Sequence, residues 1–353
     1  LGLVFNALTG ILISVVLAAF SGWILKIVSI APALLEPAET YLKIVGGACF
    51  LNALIPIFSS YLRVFGYTKH SLIGTVVGNV INIILNSVFL FVFNWGVMGV
   101  AAATVFSKVV NLIIVAAMGA VLIKAKQSPE RAQPRKILAQ IVKIGFPSAF
   151  ETALYNVAMT FIVCFMNQMD TDGMNVTARS YAMQIANFSY CVGAALAQAN
   201  AIMTGWRIGA KKYEECDRGT RKAVIYGLVT ATCFSVTFAI TGRFIVHIFT
   251  NDIQMIELVV KLLVVDIFLE FGRVTNLVYG QALKTSGDAI FPVIMGAIFM
   301  YLFAVGGTYF LGIHMGLLAV GAYIAMAGDE CARAVGMVLR WKSGKWKSKS
   351  LVE

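Results

Sequence analysis

Apolar residues dominate the chain in long unbroken runs, and short polar interruptions divide it into ten segments. Hydropathy sets spans over about residues 3–30, 42–62, 72–93, 97–123 and 149–169, then 178–203, 223–249, 256–283, 289–311 and 316–339. A helix of roughly 20 residues crosses a hydrocarbon layer of about 30 Å. Runs such as 76–93 and 290–310 are apolar on every side, whereas strands of a membrane barrel alternate apolar and polar residues. Helices are therefore expected throughout. The interruptions read as connections: a loop at APALLEPAE after the first span, a turn at Asn94–Gly96, and an acidic turn at residues 170–173. The longest is KAKQSPERAQPRK at 124–136, a solvated linker with two prolines and five bases. The spacing of Ile137, Leu138, Ile141 and Ile144 around Lys143 then suits a helix lying on the membrane surface, before the chain turns inward at Gly145-Phe146-Pro147.

Charge refines this picture. Of 353 residues 13% are charged and 59% hydrophobic, with a mean hydropathy of +0.83. Soluble domains carry about 25% charged residues, so the chain reads as a polytopic membrane protein. Alternate connections hold Arg63 and Lys69, the bases of 124–143 and 207–222, Lys284, and the tail from Arg340, which together carry 20 of the 28 Lys and Arg. The other connections hold Glu36, Glu39, Asp170, Asp172 and Asp252. The basic side is expected to be cytoplasmic, with both ends of the chain there, and this accounts for the net charge of +11 without invoking nucleic acid. The six cysteines are scattered with no CxxC pair, and His70, His247 and His314 form no cluster. No metal, disulfide framework, cofactor or enzyme motif is indicated. The sequence opens on Leu1 inside an apolar run, without the charged segment and cleavage site of a signal peptide.

The chain also repeats itself at a shift of about 220 residues. SGWILKI at Ser21 matches TGRFIVHI at Thr241, Leu62-Arg63 with Gly66 matches Leu283-Lys284 with Gly287, and GVMGVAA at Gly96 matches GLLAVGA at Gly316. Spans five to ten form one copy and spans one to four the other, in the same orientation. The expectation is an all-α protein of two parallel six-helix bundles, the first here reduced to four because two helices would precede Leu1. Its parts are an N-terminal lobe at 1–123, a linker and surface helix at 124–144, a C-terminal lobe at 145–340 and a tail at 341–353. Parallel repeats about an axis along the membrane normal are a transporter architecture.

One polar spot stands out within the apolar runs, DIFLEFGRVTNLVYGQALKTSGD at 266–288. Glu270 and Arg273 lie three residues apart on one helical face, with Asp266 one turn before and Asn276 one turn after. A charge at bilayer depth costs roughly 2.5–3.5 kcal/mol on insertion scales, so these groups face protein or a wet cavity. They form either a structural ion pair or a cavity lining that binds a proton, ion or cationic compound. The matching helix of the first half has Asn52 and Ile55 at about these places, which favours the cavity reading. Gln184 and Asn187, with Tyr181, share a face of span six, and Asn79, Asn82 and Asn86 form a stripe on span three. Each set is cavity lining or interhelical packing. Asp329, Glu330 and Arg333 read as mainly structural.

GFP at Gly145, GxxxGAKKYEE at Gly205, GVMGVAAAT at Gly96, LKTSGD at Leu283 and LRVFGYTKHSLIG at Leu62 occur in the order and spacing of a known family. The chain resembles the multidrug and toxic compound extrusion family over essentially its whole length. The resemblance implies antiport of amphipathic, often cationic compounds out of the cell, driven by sodium or protons, with alternating access between two lobes. It also implies a multi-pass bacterial inner (plasma) membrane protein, taken as a monomer, with no cofactor beyond the coupling ion. Family members often carry an acid in the helix that here holds Glu151, closer to where Tyr155 and Asn156 stand. Two further readings are a flippase for lipid-linked oligosaccharides and an inactive fragment lacking two helices.

Overall fold

The computed structural model describes residues 2–27, 32–123, 134–169 and 172–349, and all regular elements among them are helical. Two compact units divide the chain, Leu1–Ile141 and Val142–Glu353. The first contains α1 (Gly2–Ala19), α2 (Ser21–Ile27), α3 (Pro32–Tyr41), α4 (Phe50–Val64), α5 (Thr68–Ser87) and α6 (Gly96–Leu122). The second contains most of α7 (Pro134–Met169), then α8 (Met174–Gly209), α9 (Tyr213–Val246), α10 (Ile253–Thr285), α11 (Ile290–Phe299) and α12 (Leu318–Lys342). Short π-helical stretches at Leu42–Gly46, Val88–Val92, Met300–Val305 and Thr308–His314 continue several of these helices.

Among the described residues, six helical runs are long and apolar enough to cross a membrane, and Leu35–Gly46 with Phe50–Val64 makes a seventh if a 40° bend is allowed. The predicted spans that fall short of that apolarity are α8, α10 and α12, which carry the polar side chains of the second unit. These three also have the longest buried faces. Large apolar side chains such as Phe91, Val121, Ile240 and Phe244 point outward, as expected where the solvent is lipid. The chain is thus an all-α, polytopic membrane protein.

Three sequence expectations change. APALLEPAE does not form a loop: α3 runs through it from Pro32. Proline at a first helical position sacrifices no hydrogen bond, which lets this segment begin a helix. The surface helix at 137–144 and the span from Ala149 are a single element, α7, with Pro147 inside it. The proline removes one backbone bond without ending the helix, as membrane helices tolerate. The boundary between units accordingly falls at Ile141 and Val142, inside the segment read as linker and surface helix, while residues 124–133 lie outside the described part. Within the tail from Trp341, α12 extends to Lys342 and a 3₁₀ turn follows at Lys345–Lys349.

The repeat is legible in backbone detail. After α4, Gly66 takes φ +86° and Tyr67 N–H donates to Leu62 O at 2.8 Å. After α10, Gly287 takes φ +93° and Asp288 N–H donates to Leu283 O at 3.0 Å. Farther along, the letter match of Gly96 with Gly316 is two residues out of register. Positive φ occurs at Asn94 and Gly96 in the first unit and at Gly316 and Leu318 in the second, which equates Asn94 with Gly316. Gly99 then pairs with Gly321, and these two glycines abut Phe89 and Leu311 respectively. Backbone conformation fixes the register more sharply than residue identity because several sequences adopt the same turn.

Candidate functional site

Helix α10 is the axis of the second unit, with α8, α9 and α12 packed along it. Gly272 sets how closely α12 approaches: a Cβ there would stand 2.6 Å from Cys331 N and 2.7 Å from the Glu330 carbonyl carbon. This contact brings the polar face of α10 against Glu330 and Arg333 of α12. Beside it opens a cavity of about 460 Å³, wholly within the second unit and lined from α7, α8, α10, α11, α12 and the π-helical turn at Met300. The volume is that of a small-molecule pocket.

Five ionised groups form a chain behind and along its wall. The Arg273 guanidinium donates to Glu270, lies 3.8 Å from Glu330 Oε1, and faces the ring of Tyr190 with 5.7 Å to its centroid. Arg333 donates to both oxygens of Asp329, at 3.0 and 2.6 Å, and approaches Glu330 Oε1 at 2.9 Å. Asn276 Nδ2 donates to Glu330 Oε2 at 3.0 Å. Behind this wall Glu270 is fully buried and accepts from Ser189 Oγ at 3.5 Å. Each arginine is therefore shared between two carboxylates. At the other end of the cavity Lys284 Nζ donates to Glu151 Oε2 at 2.6 Å.

Asp266 differs from these acids. It lines the cavity, is 3% exposed, and has no ion-pair partner among the described residues. Counting Glu151, Asp266, Glu270, Asp329 and Glu330 against Arg273, Lys284, Arg333 and the buried Arg179 nearby, acids outnumber bases by one. Asp266 is the acid of this set without an ion-pair partner among the described residues.

Of the residues singled out in the sequence, Asp266, Arg273, Asn276, Glu151, Tyr155 and Asn187 all line this cavity. Glu270 stands behind it as the anchor of Arg273. Gln184 and Asn156 do not line it: Gln184 is on the exposed side of α8, and Asn156 is exposed and donates to Thr152 O at 3.0 Å. Asn82 belongs to the first unit, where it donates to Ser107 Oγ at 3.3 Å and accepts from Asn86 at 3.0 Å, so its contacts join α5 to α6. Glu330 and Arg333, read as mainly structural, also line the cavity, and Lys284 was missed altogether. Lys284 sits at a helix end among loop bases, where charge speaks of orientation, and its partner is 133 residues away.

A many-spanning helical protein with a charged cavity lined by one of two repeated units is a transporter in architecture. The MatE profile matches residues 1–88 and 147–310, and the chain belongs to that family, the multidrug and toxic compound extrusion transporters. It is 31% identical over 334 residues to an uncharacterized transporter, YisQ, of Bacillus subtilis, covering 93% of this chain and 73% of the relative. It is 25% identical over 361 residues to a probable multidrug resistance protein, NorM, of Thermotoga maritima, covering 96% and 76%. Its fold matches a solved structure described as the outward-facing conformation of a multidrug resistance MATE family transporter, with a TM-score of 0.89 at 18% identity, covering 98% of this chain and 78% of that one.

Proposed function

We propose that the chain exports amphipathic, often cationic organic compounds in exchange for sodium ions or protons by alternating access, and that Asp266 takes up the coupling cation. The observation that carries this reading is a buried carboxylate lining a cavity with no ion-pair partner among the described residues. An isolated buried carboxylate is costly as an anion, and a bound sodium ion or proton removes that cost. The surplus of acids around it suits a cationic substrate. The multidrug names carried by relatives at about a quarter identity support the substrate class. The flippase reading has less to rest on, because Arg273 and Arg333 are each engaged by two carboxylates and neither is free for a lipid phosphate.

The test is ethidium movement in vesicles reconstituted with the chain, under a sodium gradient and a proton gradient imposed separately. Gradient-driven movement that falls to the protein-free rate in Asp266→Asn supports the reading, and the gradient that works identifies the ion. Movement of cationic dyes under neither gradient, or full activity in Asp266→Asn, sinks it.

A further inference from the structure

The cavity is longer than a binding pocket requires. Its lining follows one face of α10 from Asp266 through Arg273 and Asn276 to Lys284. At 1.5 Å per residue that stretch is about 27 Å, close to the ~30 Å of a hydrocarbon core. At its far end Lys284 pairs with Glu151, and the two side chains are only 19% and 26% exposed. This pair joins α7 to α10 directly, at the end of the cavity away from Asp266. Pro147 stands one turn before Glu151 and removes a rung from the backbone ladder of α7, so this end of the cavity wall is the part least held by its own helix. Lys284 also differs from the two arginines in having a single carboxylate partner among the described residues.

Resting on the assignment of Asp266 above, we infer that the cavity is the route along which the coupling cation travels between Asp266 and the membrane face that carries the basic loops, and that the Lys284–Glu151 pair is its closure. The Lys284 ammonium is a tethered cation held on the carboxylate that a travelling cation uses. A sodium ion or proton arriving at Glu151 replaces it, the net charge at the site is unchanged once the ammonium moves away, and α7 is released from α10. When the cation leaves, the ammonium returns and the end closes. The closure is competitive, and its equilibrium shifts by the difference in free energy between the travelling cation and the ammonium at Glu151.

The test reads access rather than transport. The full chain, with its six cysteines replaced by serine and Leu277→Cys placed in the cavity lining, is labelled in oriented vesicles by a membrane-impermeant cationic methanethiosulfonate. Applied from the basic-loop face, the reagent is expected to react on the order of tenfold faster in Lys284→Gln and in Glu151→Gln, as loss of one partly buried ion pair predicts. The exchanged double variant, Glu151→Lys with Lys284→Glu, should return to the parent rate. An unchanged rate in both single variants, or no recovery in the exchange, overturns the closure. Failure of the antiport reading is told apart by Asp266→Asn: if that variant keeps gradient-driven export while Lys284→Gln still opens the cavity, the destination of the route is wrong and the closure holds.

Discussion

Two carboxylates one turn apart on α10 have opposite relations to the fold. Glu270 is buried and answers Arg273, so Glu270→Ala leaves a guanidinium short of its main partner and should cost about 3–5 kcal/mol. Asp266 is buried without an ion-pair partner among the described residues, so Asp266→Asn should leave the melting temperature in detergent unchanged or raise it while abolishing coupled transport. A fall in melting temperature for Asp266→Asn equal to that of Glu270→Ala would mean that both acids are structural. At the neighbouring Gly272, a methyl group would press on the α12 backbone, and Gly272→Ala should destabilise by about 1–3 kcal/mol, read in the same melting measurement. The polar face of α10 was legible because charges in an apolar run have few places to point. Polar residues in α8 and α7 were harder to sort, since Gln184 and Asn156 lie beside cavity residues in sequence yet do not line the cavity. Where polar residues are spread around a helix, as in α8, they offer little contrast by which to tell its lipid face from its cavity face.

At the scale of elements, the end of α12 organises the loops on one side of the second unit. Trp341 Nε1 donates to Asp217 at 2.9 Å, Trp346 Nε1 donates to Trp341 O at 3.0 Å, and the two indoles stack at 4.2 Å. Arg340 and Lys349 both donate to Asp288, in the connection between α10 and α11. Burial pushes the Asp288 carboxyl up, but the donors outweigh it and hold it below the usual carboxylate range. A depressed value means that the stabilisation is fully present above the ordinary carboxylate value and is lost as pH falls through the lowered one. The tail should therefore resist trypsin at Lys345 and Lys347 at neutral pH, and pepsin should begin to cut it only in acid stronger than pH 5. Asp288→Ala should make it sensitive at neutral pH, and a tail in that variant as resistant as the parent would show that the ionic anchor is dispensable. Hydropathy gave the tail no structure because its lysines outvote its tryptophans in any average. It missed α3 for a similar reason, weighting prolines as breakers where one of them starts the helix.

The whole molecule is two copies of one design used unequally. In the first unit the counterpart of α10 is interrupted, with a π-helical stretch at Leu42–Gly46 followed by α4 from Phe50, whereas α10 runs unbroken through the charges of the cavity. Repeated spans and turn glycines could be read from the sequence because apolar length and positive φ constrain residue type. The division of labour could not, because it rests on which side chains meet across helices. The stacked indoles carry a practical consequence. Trp23, Trp95 and Trp206 are 65%, 45% and 51% exposed, while Trp341 and Trp346 are 2% and 1% exposed, and both belong to the second unit. The emission of these two indoles is therefore an optical gauge of that unit alone. Replacing the three exposed tryptophans with phenylalanine should leave a blue-shifted signal that reports the loss of one half of the protein without seeing the other.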